Sequence, residues 1–120
     1  MISWFEVAVS DMDRAKTFYE TVFDITINVM DFGGTLMGWF PNIEDTIGAT
    51  GSLVQNSNYV PSQEGSLVYF MSNDVQIELD RVEAAGGKIF QEKTKISDEY
   101  GYMGVFIDSE GNRIALHSNQ

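Results

Sequence analysis

Three polar side chains interrupt stretches that are otherwise apolar: Glu6, Tyr69 and His117. Glu6 is the one charge between Ser3 and Val9, and His117 is the only histidine in 120 residues. A carboxylate and an imidazole can pass protons at neutral pH, and a phenol can donate to a ligand oxygen. The same three groups, without catalysis, could fix the orientation of a bound molecule. Which chemistry applies depends on whether they face one another, so the elements that carry them come next.

Along a strand, side chains two residues apart share a face. Glu6 therefore looks where Trp4 looks, Tyr69 where Leu67 looks, and His117 where Ala115 looks. The chain also repeats itself. From Ser3 it reads as an apolar strand running into an aspartate-capped helix, and from Ser66, 63 residues later, the same order returns. That offset carries Glu6 onto Tyr69. A repeat of this length is evidence about fold before any single residue is considered.

The first helix is predicted from Ala15, Phe18, Tyr19, Val22 and Phe23, which form one apolar stripe behind the cap candidates Ser10 and Asp11. Strands follow near 25–31, 34–40 and 49–55. Residues 56–65, with Pro61 and Gly65, read as a linker. The second half repeats the order: a strand at 66–72 and a helix with Val75, Leu79 and Val82 inward. Gly86-Gly87 stops that helix, and strands follow near 88–93, 101–107 and 113–118. Each half is β-α-β-β-β, giving module 1 over 1–55 and module 2 over 66–120 in a single α+β domain.

The composition narrows the possible functions. Eighteen acidic residues against seven basic ones leave a net charge of −11, which disfavours nucleic acid and anionic membranes. No run of apolar residues is long enough for a membrane span. There is no cysteine, hence neither disulfide nor thiolate chemistry, and no secretory signal is visible, so the cytoplasm is the expected compartment.

Paired modules of this order, with Asp11 through Tyr19, Val82 through Lys88 and Asp108-Ser109-Glu110-Gly111-Asn112-Arg113-Ile114, resemble the vicinal oxygen chelate superfamily. That group includes glyoxalase I, extradiol dioxygenases and bleomycin-resistance proteins. The resemblance implies two tandem βαβββ modules forming a curved eight-stranded mixed sheet around a cavity, and a homodimer. It also implies where family enzymes hold a divalent metal: here Trp4, Leu67, Ala115 and, less directly, Ser52. Indole, isobutyl and methyl groups offer no lone pair to a metal, and a serine hydroxyl is a poor ligand. No metal cofactor is therefore expected.

The expected alternative is an apolar pocket. Trp4, Val54, Leu67 and Ala115 would contribute walls, and Glu6, Tyr69 and His117 would form a displaced polar ring. Tyr59, Tyr100 and Tyr102 are rim candidates. The leading expectation is a metal-independent binder of a small organic molecule. A second is an isomerase or lyase related to lactoylglutathione lyase, with Glu6 as general base and His117 assisting. A third is sequestration of a cationic drug, favoured by the acidity.

Overall fold

The computed structural model describes residues 1–120 and contains two helices and eight strands. Strand β1 (Phe5–Ala8) leads into helix α1 (Met12–Phe23), then β2 (Asn28–Phe32), β3 (Thr35–Trp39) and β4 (Gly51–Gln55). The second module runs β5 (Tyr69–Met71), α2 (Val75–Ala85), β6 (Lys88–Ser97), β7 (Gly101–Ile107) and β8 (Arg113–Ser118).

Both helices start as their sequences predict. Asp11 and Asp74 are extended N-cap residues whose carboxylates accept from the backbone N–H groups of Arg14 and Gln76. Gly86 ends α2 at φ 108°, a conformation open to glycine at no steric cost. The stripe of Ala15, Phe18, Tyr19 and Val22 is fully buried.

The sheet orders are β1-β4-β3-β2 and β5-β8-β7-β6, so the repeat seen in sequence is a repeat of topology. In each module the first strand pairs parallel with the last, and the other pairs are antiparallel. The eight strands form two four-stranded sheets, with no ladder joining β1 to β5. Aromatic rings occupy the seam instead. Phe70 lies 5.4 Å from Phe5, 5.3 Å from Phe40 and 4.8 Å from Phe23, between ring centroids. β5 has only three residues, too short an edge to build a ladder against that cluster.

One core serves both modules. Val7, Val9, Phe40 and Leu53 from the first sheet, Phe106, Ile114 and Leu116 from the second, and both helices contribute to a single buried cluster. Each sheet therefore turns one face to the helices and the other face away from the protein's core. The second, helix-free face of each sheet carries the residues in question.

A buried polar clasp locks the modules together. Asp108, 3% exposed, accepts from the Tyr19 hydroxyl at 2.6 Å and from the Asn112 side chain at 3.0 Å. Asn112 also donates to the carbonyl of Ala8 at the end of β1. Beside it, Glu110 accepts from the backbone N–H groups of Ser10 and Asp11 and pairs with Arg14 at 2.7 Å. Burial and the neighbouring Asp108 carboxylate push the Tyr19 phenol well above its ordinary pKa.

Burial alone would raise the Glu110 pKa, but the Arg14 hydrogen bond and the two N–H donors outweigh it and hold the carboxyl below its usual value. A depressed folded pKa means that this contribution to stability is present above the unfolded pKa, about 4.3, and disappears as pH falls through the folded value. Thermal melts from pH 7 down to pH 3 should therefore show Glu110→Gln losing less stability on acidification than the parent. Parallel curves would contradict that assignment.

Candidate functional site

On the first sheet the helix-free face carries Trp4, Glu6, Ser52, Val54, Met37 and Trp39. The ladder fixes their order: Glu6 is level with Ser52, and Ser52 is level with Trp39. The Trp4 and Trp39 rings meet edge to face, with centroids 5.2 Å apart at 68°. That geometry sets a ring edge against a neighbouring π-face, a favourable aromatic contact. Ser52, on the strand between those carrying the two indoles, is completely buried, and its hydroxyl has no hydrogen-bond partner. A buried hydroxyl left unpaired costs free energy.

Glu6 is exposed on this face. Its one partner is the hydroxyl of Tyr59, which donates at 3.3 Å from the linker. This contact brings the Tyr59 side chain from the linker to the helix-free face.

On the second sheet the helix-free face carries Tyr69, Met71, Met103, Val105, Ala115 and His117. Tyr69 is level with Ala115, and Met71 with His117. Leu67 is half-buried and precedes β5. The Nε2 of His117 lies 2.6 Å from the Tyr100 carbonyl, so an N–H there donates to it. Tyr69 and Met71 are 51% and 58% exposed, which leaves this face open in the single chain.

The two sheets meet with opposite strand sense. Phe5 contacts Phe70, which is level with Leu116, whereas Ala8 contacts Asn112 at the head of β8. Moving from Trp4 to Glu6 therefore moves away from His117 and toward Arg113. Within the chain, Glu6 neighbours Ser52 and Tyr59, and His117 neighbours Met71, Met103 and Tyr100. No hydrogen bond joins Glu6, Tyr69 and His117 to one another. A groove lined by Thr35, Gln55, Asn56 and Tyr59 opens at the end of the first sheet.

The residues that the resemblance sets at metal positions are a poor donor set. Trp4, Leu67 and Ala115 supply no lone pair for a divalent ion, and Ser52 contributes one neutral oxygen. No cluster of three or more His, Asp or Glu side chains gathers elsewhere. Nor is any helix long and apolar enough to cross a membrane.

Residues 1–116 match the family model of the Glyoxalase/Bleomycin resistance protein/Dioxygenase superfamily, and the chain belongs to that superfamily. A comparison with curated proteins finds no match. Among solved structures, a glyoxalase/bleomycin resistance protein from Albidiferax ferrireducens T118 is similar at a TM-score of 0.73 and 19% identity, covering 100% of this chain and 99% of that one. TnmS3, an antibiotic binding protein from Streptomyces sp. CB03234, is similar at 0.72 and 22% identity, covering 100% and 96%. A glyoxalase I mutant from Zea mays matches at 0.73 and 19% identity over 98% of this chain, but the chain spans only 46% of its length. These likenesses concern the fold.

Proposed function

We propose that the protein binds a small organic molecule on the helix-free faces of its sheets, without a metal, and that a second copy of the chain encloses the ligand. The observation that carries this reading is the Trp4–Trp39 pair with the buried, unpaired Ser52 hydroxyl between its strands and the exposed Glu6 carboxylate beside it. An aromatic wall with a few converging polar groups is the usual lining of an organic-ligand site. Glu6 on the first sheet, and Tyr69 and His117 on the second, serve as separate hydrogen-bonding anchors, and Val54, Leu67 and Ala115 as apolar walls. The fold accommodates such binding, since TnmS3, an antibiotic binding protein, shares it.

The faces are open in the single chain, with Trp39 still 39% exposed. Pairing two copies would cover them and give a ligand the burial that affinity requires. Sedimentation velocity tests this directly.

Trp4 and Trp39 are the only two tryptophans, so intrinsic emission reports on this face alone. Titration with a panel of aromatic compounds should give a saturable change in emission, identical before and after treatment with a chelator. Trp39→Ala should weaken binding by about tenfold or more, as loss of a buried aromatic contact does. A response that vanishes with the chelator would overturn metal independence. Absence of any saturable response across the panel would overturn the binding reading.

A further inference from the structure

Of the seven basic residues, four are committed to carboxylates: Arg14 to Glu110, Lys16 to Glu20, Lys93 to Asp74 and Lys95 to Asp98. Arg81 donates to the carbonyl of Val22. The remaining two, Lys88 and Arg113, form no ion pair, although the chain offers eighteen acidic side chains. They are also on the same face. Lys88 is level with Ile107, and Ile107 with Arg113, so all three project from the second sheet on its helix-free side.

Two strand spacings separate Lys88 from Arg113, roughly 10 Å, which two long side chains can close upon a shared anion. The Arg113 guanidinium lies over the Phe90 ring, 5.7 Å from its centroid, and its Nε is buried without a hydrogen-bond partner. Phe90 itself is 54% exposed. A planar, weakly hydrated cation held on an aromatic face and short of an acceptor is a ready partner for a carboxylate.

We infer that Lys88 and Arg113, beside Phe90, receive a carboxylate, so the ligand of the helix-free face is an organic acid rather than a cation. This rests on the reading that these faces bind a small molecule, and it specifies which kind. The local field decides against the overall one here. A net charge of −11 attracts cations at long range, but salt screens it beyond about 8 Å. Two unpaired cations on one face act at contact distance. The same carboxylate chemistry could come from a side chain of a second copy, and the experiment separates the two sources.

Benzoate, benzamide and benzamidine share a ring and differ in charge by one unit each. Titrated into the ¹⁵N-labelled full chain, benzoate should shift the amides of residues 88–91 and 113–115. It should bind about tenfold more tightly than benzamide, the worth of one charged hydrogen bond. Arg113→Gln should abolish that preference, and Arg113→Lys should restore much of it. Lys88→Gln, at an exposed position that folding does not depend on, should reduce it independently.

Equal binding of benzoate and benzamide, or tighter binding of benzamidine at these residues, would overturn the inference while leaving the binding reading intact. A shift from dimer to monomer in Arg113→Gln, seen by sedimentation, would assign the carboxylate to the partner copy and overturn the ligand assignment. If none of the three compounds perturbs either helix-free face, the binding reading fails and the inference falls with it.

Discussion

Asp108→Ala should destabilise the protein by about 3–4 kcal/mol, because its removal leaves two buried donors, the Tyr19 hydroxyl and the Asn112 amide, short of acceptors. Its other oxygen accepts from the backbone N–H groups of Glu110 and Asn112, both at 2.9 Å, so the β7–β8 turn loses its shape as well. The effect reaches the site. Asn112 holds the carbonyl of Ala8, and Ala8 ends the strand that carries Glu6.

Tyr19→Phe is the milder probe. It keeps the packed ring and leaves Asp108 its remaining donors, so about 1–2 kcal/mol is expected. Urea unfolding of both variants and their double mutant would measure the coupling. A cost below about 1 kcal/mol for Asp108→Ala would mean that the modules are held by their shared apolar core and not by this clasp.

Gly51→Ala should be comparably severe, for a steric reason. A Cβ at Gly51 would stand 2.2 Å from the backbone carbonyl of Phe5 and 2.5 Å from its ring. Phe5 and Gly51 are level across the parallel β1–β4 ladder, so relief requires the two strands to separate. Backbone has no rotamer to yield, unlike the flexible tip of a long side chain, and a cost of about 3 kcal/mol is reasonable for overpacking of this kind. The strands that must part carry Trp4 and Glu6 on one side and Ser52 on the other. Gly51→Ala should therefore weaken ligand binding as well as stability, and changed tryptophan emission in the folded variant would reveal it. Unaltered emission together with parental stability would show that the ladder absorbs the methyl group.

Much of this architecture is legible in the residue order. Ala15, Phe18, Tyr19 and Val22 recur at helical spacing behind Asp11, and these are local relationships that hydrophobic burial and capping enforce wherever the helix lies. The alternation in residues 113–118 likewise put Ala115 and His117 on one face, and the structure buries Ile114 and Leu116 on the other. The doubled β-α-β-β-β order became a doubled sheet order.

The ends of strands were less legible. β5 is shorter than its apolar run, and β6 extends through Thr94 to Ser97 with irregular pairing to β7. A bulge depends on the partner strand, and no local signal announces it.

What the residue order settled is the set of elements and, within each strand, which side chains share a face, because both follow from short-range periodicity and from water's rejection of apolar surface. What only the folded chain decided is how those faces meet. The aromatic seam keeps β1 and β5 as edges of separate sheets, and the Asp108 clasp sets their opposite sense. Glu6 is thereby directed to Ser52, Tyr59 and the Arg113 end of the second sheet, and His117 to the Tyr100 carbonyl. Contacts between residues distant in sequence come from packing and hydrogen bonds, and periodicity carries no information about them.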